Sequence, residues 1–211
     1  AEQRRPADVP DFIKDKFEMF NGLVTYDADW FQLLSTTTFS TRDSDFREEG
    51  SGVDLTPIGL SALNGLNSNA GGARKDEAFT QEIRFTTDLD GKLNFVTGVY
   101  YEENDRSSLT DFFFEFAPGS GNLISLSTVP EANFEAVAGV TERTQIAVFG
   151  EATYDLTDRL QATAGVRYYD YEVDRTSGSA ETITANEDGF NPRFSLSYDI
   201  DDDRMVYGSI S

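Results

Sequence analysis

The sequence predicts an all-β protein, an antiparallel up-and-down transmembrane β-barrel segment of about eight strands with short periplasmic turns and long extracellular loops. Three observations predict it. Long runs alternate in polarity with period two, so one face of each strand is apolar and the other polar or small. The runs reach roughly ten residues, nearer the ~9–11 that cross a bilayer at a tilt than the ~5–6 of a soluble strand. Short and long connections alternate strictly, which in an up-and-down barrel puts all tight turns on one side and all large loops on the other.

The clearest unit is the hairpin Thr141–Tyr171. Ile146, Val148, Gly150, Ala152 and Tyr154 share a face, opposite Gln145, Ala147, Phe149 and Glu151. After a turn at 155–159, Leu160, Ala162, Ala164, Val166 and Tyr168 alternate with Gln161, Thr163, Gly165, Arg167 and Tyr169. Asp and Thr in that turn bond their own backbone.

The other strands follow in chain order. Residues 1–13 read as irregular. Strands are expected over 14–26 and 30–41, joined at 27–29; the second is rich in β-branched Thr. A long connection over 42–76, with a short helix near 58–66, leads to a third strand at 78–88. Asp90-Gly91 marks a hairpin into a fourth strand at 93–102. A second long connection covers 103–140 and a third 172–189. The seventh strand spans 190–199, a turn 200–203, and the eighth begins at Arg204.

Composition narrows the function classes. The 211 residues carry a formal net charge of −21, which repels nucleic-acid phosphates and argues against a nucleic-acid partner. The chain has no Cys and no His, which removes disulfides, thiolate metal sites, the Ser-His-Asp triad and the commonest general base. The expectation is therefore no enzyme, no metal and no cofactor. The segments 42–76, 102–140 and 170–189 hold 19 acidic and 6 basic residues, so the excess acid is expected in the loops. A charge on the lipid side costs about 2–4 kcal/mol at mid-membrane.

Four stretches carry a family resemblance: AVFGEATYDLTDRLQATAGVRY at 147–168, FTQEIRF at 79–85, LNFVTGVYY at 93–101 and NPRFSLSYDIDDDRMVYGSIS at 191–211. Each resembles the barrel of TonB-dependent outer-membrane receptors. The resemblance implies a Gram-negative outer-membrane location and a barrel of about 22 strands closed by a plug. It also implies uptake of a scarce nutrient, such as an iron–siderophore complex, driven by the TonB energy-coupling complex. Outer-membrane lipid, the protein's own plug domain, that complex and a small-molecule ligand are the expected partners. Residues 1–211 then read as a partial barrel domain without the plug and the remaining strands.

The inward strand face offers the candidate site. Glu82, Arg84, Glu151, Arg167, Tyr169 and Arg193 point there, to contact ligand or plug, or to neutralise one another across strands. Phe112, Phe113 and Phe114 are candidates for a ligand platform, against a girdle or a strand extension. Asp199 and Asp201–Asp203 read as turn residues before a calcium site. Two other readings stand beside the receptor: a small self-contained outer-membrane barrel with a structural or adhesive role, and a soluble secreted β-sandwich that binds carbohydrate.

Overall fold

The computed structural model describes residues 11–49, 67–115, 122, 124–128, 137–178 and 180–211. The expected helix near 58–66 lies outside these residues. The strands are β1 (Phe12–Asp27), β2 (Phe31–Glu49), β3 (Asn67–Thr87), β4 (Leu93–Glu115), β5 (Ile124–Ser125), β6 (Val137–Thr157), β7 (Leu160–Ser177), β8 (Ile183–Asp201) and β9 (Arg204–Ile210). They form one antiparallel sheet in the order β1-β2-β3-β4-β6-β7-β8-β9, with the two-residue β5 on β4. There is no second stacked sheet among the described residues, so the sandwich does not form. Nor do β1 and β9 pair with each other, so eight strands do not close on themselves.

All eight long strands lie where the alternation places them, and the register confirms both faces. One row runs Val24, Ser35, Ile83, Val99, Val148, Tyr168, Phe190. The next runs Leu23, Thr36, Glu82, Tyr100, Ala147, Tyr169, Gly189 on the opposite face. The first row is exposed and largely apolar: Val99 and Val148 keep 47% and 50% of their surface. The second row is crowded, and Ala147 is fully buried. Side chains that converge on one face and splay on the other define a curved sheet with its polar face in the hollow.

Two aromatic bands border the apolar face. Near the short turns, Phe31 stacks on Phe85 at 5.1 Å and meets Trp30 at 4.6 Å. Further up, Phe79 meets Tyr101 at 6.1 Å and Tyr168 meets Phe190 at 5.0 Å. These are the interfacial girdles of a membrane barrel.

The register also sets the tilt. The row Gln32, Thr86, Val96, Glu151, Gly165, Arg193 is continuous across six strands. Measured from the successive short turns, it lies about two, four, six and nine residues up the strands. A climb of about two residues per hairpin, across two spacings of ~4.8 Å, corresponds to strands tilted by roughly 35–40°.

Two expectations need correction. The strands run well past the apolar band, so much of 42–76, 103–140 and 172–189 is sheet. β7 and β8 stay paired up to Arg175 and Ile183, and the third long loop shrinks to a turn in which Gly178 adopts φ +58°, a conformation that suits glycine. Outside the membrane both faces are wet, so polar, Thr-rich strands lose the alternating signal while keeping their ladders. The excess acid correspondingly sits on strands. Glu103, Asp105, Glu142, Asp170, Glu172 and Asp188 occupy the outward face above the upper girdle.

The turns are tighter than expected. β6 continues to Thr157, with a register shift after Asp155, leaving only Asp158 and Arg159 between strands. The Thr157 hydroxyl accepts the N–H groups of Arg159 and Leu160 at 3.2 and 3.0 Å. At the next turn Asp201 accepts the Asp203 N–H at 3.2 Å and Arg204 Nε at 2.8 Å. Turn chemistry thus accounts for Asp201.

Candidate functional site in the hollow face

The hollow face gathers arginine. Even positions on β2, β3 and β4 and odd positions on β6, β7 and β8 face inward. They place Arg84, Arg167 and Arg193 in a lower tier, Arg84 one residue from Phe85 of the lower girdle and Arg167 one residue from Tyr168 of the upper. Arg42, Arg74, Arg106, Arg143 and Arg175 form a second tier nearer the long loops. The three strand lysines on this stretch, Lys14, Lys16 and Lys75, all lie outward. Guanidinium is weakly hydrated and binds oxyanions through a planar fork, so this division has chemical content.

At the centre of the lower tier lies Ala147, paired with Tyr100 on one side and Tyr169 on the other. Its small side chain leaves a gap that Arg167 crosses to sit over the Tyr100 ring at 5.3 Å. Arg84 lies over the Phe149 ring at 5.9 Å and pairs with Glu82 at 2.6 Å. Phe149 in turn covers Gly98, where an added Cβ would meet its ring at 2.5 Å and the Ile83 carbonyl at 2.6 Å. An aromatic ring over a strand glycine rigidifies a curved sheet. Just above, Glu102 accepts the Tyr100 hydroxyl at 2.8 Å and Arg143 Nη2 at 2.6 Å.

The six inward candidates therefore reach the face expected, with different partners. Glu82 and Arg84 pair along one strand rather than across two. Arg167 takes an aromatic face instead of a carboxylate. Tyr169 donates to Glu187 at 3.3 Å, and its ring packs on Gly189. Glu151 and Arg193 make no ion pair among the described residues. Tyr100, Glu102, Arg143 and Phe149 complete the site and were not among the sequence candidates, although the same parity that selects Glu151 and Arg167 selects them.

Phe112, Phe113 and Phe114 lie well above this patch, on the extended end of β4. Phe114 is 1% exposed and pairs with Ile124 of β5. Phe113 faces outward beneath the Arg47 guanidinium at 4.9 Å. Nearby, Asp111 accepts the Ser125 and Ser127 hydroxyls and the Phe112 N–H. Burial works to raise its pKa, but these donors outweigh it and hold the carboxyl below its usual range.

A tilted up-and-down sheet, apolar outside, girdled twice and lined inside by arginine and tyrosine, is the wall of a transmembrane β-barrel. The family model described as TonB dependent receptor-like, beta-barrel matches residues 3–211. The chain belongs to that family. Three solved structures share the fold. Over 94% of this chain, the ferric yersiniabactin uptake receptor FyuA from Yersinia pestis superposes with TM-score 0.72 at 15% identity. The ferric citrate transporter FecA, unliganded, gives 0.66 at 14% over the same share. The copper transporter OprC gives 0.64 at 12% over 93%. The chain spans 28%, 27% and 29% of these three proteins.

Proposed function

We propose that this chain is a wall segment of an outer-membrane receptor that imports a scarce nutrient, such as an iron–siderophore complex. The rest of the barrel and a plug domain complete the receptor, and the TonB complex supplies energy. The observation that carries this reading is the family match over residues 3–211 on a sheet with a lipid-type outer face and a polar, arginine-lined inner one. Ligand is captured between the extended strand ends and passes along the inner wall. No covalent step is needed: the wall offers cations, phenols and stacked rings, which bind and orient.

The test is uptake of labelled ferric chelates by iron-starved cells with and without the gene, and with and without TonB. Uptake of at least one chelate is expected to need both. Unchanged uptake across the whole panel in the deletion strain would refute the reading.

A further inference from the structure

The outward face carries an apolar groove of about 640 Å³. Gly150, Ala152 and Ala164 floor it, the rings of Phe85 and Phe95 stand along one side, and Val166 stands on the other. Both hydroxyls on its wall are satisfied within the chain: Thr97 donates to the Phe149 carbonyl at 2.9 Å and Thr87 to Asn94 Oδ1 at 3.0 Å. Ala152 and Ala164 are opposite one another, two positions above Tyr154 and four below Tyr168 on their strands. The groove therefore occupies the half of the apolar band nearer the short turns.

Gly150 has no role inside the chain that would demand a glycine. Its φ is not positive, and an added Cβ would meet nothing nearer than the Thr97 hydroxyl at 3.9 Å. Gly98 and Gly165, by contrast, are covered by the Phe149 and Glu151 side chains. A glycine inside a strand weakens it and marks a place where something approaches the backbone closely. At Gly150 that something comes from outside the chain.

The foot of the groove carries both signs of charge. The β3–β4 turn holds Asp88, Asp90 and Lys92, and the β6–β7 turn holds Asp158 and Arg159, all exposed. Among the described residues neither Lys92 nor Arg159 forms an ion pair; Arg159 reaches only the Ile200 carbonyl, at 3.4 Å. At the same level the exposed Tyr154 faces outward between Leu93 and Ala162, and its hydroxyl has no partner among the described residues. A slot in hydrocarbon above a rim of mixed charge complements a molecule with an apolar chain and a zwitterionic head.

We propose that this groove holds one acyl chain of a glycerophospholipid of the periplasmic leaflet, whose zwitterionic, amine-bearing headgroup rests on the two turns. The phosphate meets Lys92 and Arg159, the ammonium meets Asp90 and Asp158, and the Tyr154 hydroxyl stands at the level of the ester carbonyls. The site belongs to the membrane wall and is independent of the nutrient imported.

The test uses the receptor expressed from its full gene, purified in mild detergent and titrated with phosphatidylethanolamine or with phosphatidylglycerol of the same acyl chains. Native mass spectrometry reads the first lipid bound. Phosphatidylethanolamine is expected to bind about tenfold tighter than phosphatidylglycerol. Gly150→Leu, which fills the floor, should weaken it by roughly tenfold, and Gly150→Ala, whose methyl has room, by less. Lys92→Gln combined with Arg159→Gln should also weaken it, whereas Val99→Leu, outward but outside the groove, should not. A heat-dependent gel shift shows which variants still form the barrel. Equal binding of the two lipids overturns the proposal, as does binding unchanged in a folded Gly150→Leu receptor. If that variant does not fold, binding unchanged in both Gly150→Ala and the Lys92/Arg159 double variant overturns it. A receptor dimer that Gly150→Leu or Gly150→Ala splits assigns the groove to a second copy and overturns it too.

Discussion

At the scale of single residues, two positions show how closely this wall is built. Gly98 has Phe149 on one side and the Ile83 carbonyl on the other, and a backbone oxygen cannot move aside as a ring can. Gly98→Val should cost roughly 1–3 kcal/mol through overpacking, read as a lower urea midpoint for the full receptor in lipid vesicles; an unchanged midpoint would show that the ring and strand adapt freely. Asp15 has its pKa lowered to about 2 by hydrogen bonds from Arg42 first and Ser44 second. A depressed carboxylate stabilises the fold fully above its ordinary value of 3.8 and loses that contribution as pH falls towards about 2. Isotope-edited infrared titration should find Asp15 ionised below pH 3 in the parent protein, and back near its ordinary value in Arg42→Gln. The inner-face network of Tyr100, Glu102 and Arg143 was legible as parity but not as partnership. Alternation says which side a residue takes, whereas the crossing of Arg167 above Ala147 depends on strand stagger, which only the register reveals.

At the scale of the element, the hairpin of β6 and β7 was readable because lipid on one side and lumen on the other impose opposite demands on successive residues. Its adjacent residues Thr163 and Ala164 test that division. Ala164→Arg should destabilise the barrel by about 2–4 kcal/mol, because it puts a charge in hydrocarbon, while Thr163→Arg, one residue earlier, should be tolerated. Urea titration in vesicles checks both, and a reversed order would mean the faces are assigned the wrong way round. The strand ends were not readable for the same reason that the middles were. Ile183-Thr184-Ala185-Asn186-Glu187 has the composition of a loop, yet it is held as strand by pairing with β7. Where water bathes both surfaces, hydrogen-bonded pairing decides the structure and composition is a poor guide.

At the scale of the whole molecule, the sheet has two open margins, β1 and β9. Their free N–H and C=O groups cannot be left in hydrocarbon. The 211-residue chain refolded alone in detergent should therefore migrate identically on a denaturing gel whether boiled or not, while the receptor from the full gene should shift on heating. A heat-dependent shift of the 211-residue chain as a monomer would mean that it closes without further strands. The two girdles carry a consequence of another kind. On β2 and β8 the rings of Phe31 and Phe39, and of Tyr198 and Phe190, stand eight positions apart, about 26 Å along a strand and about 20 Å along the membrane normal at the tilt found here. That height fits a thin bilayer, and bacterial outer membranes are thinner than average. In a thicker, longer-chained membrane the surrounding lipid would have to compress to meet the rings, so thickness matching by itself gives this wall a preference for thinner membranes.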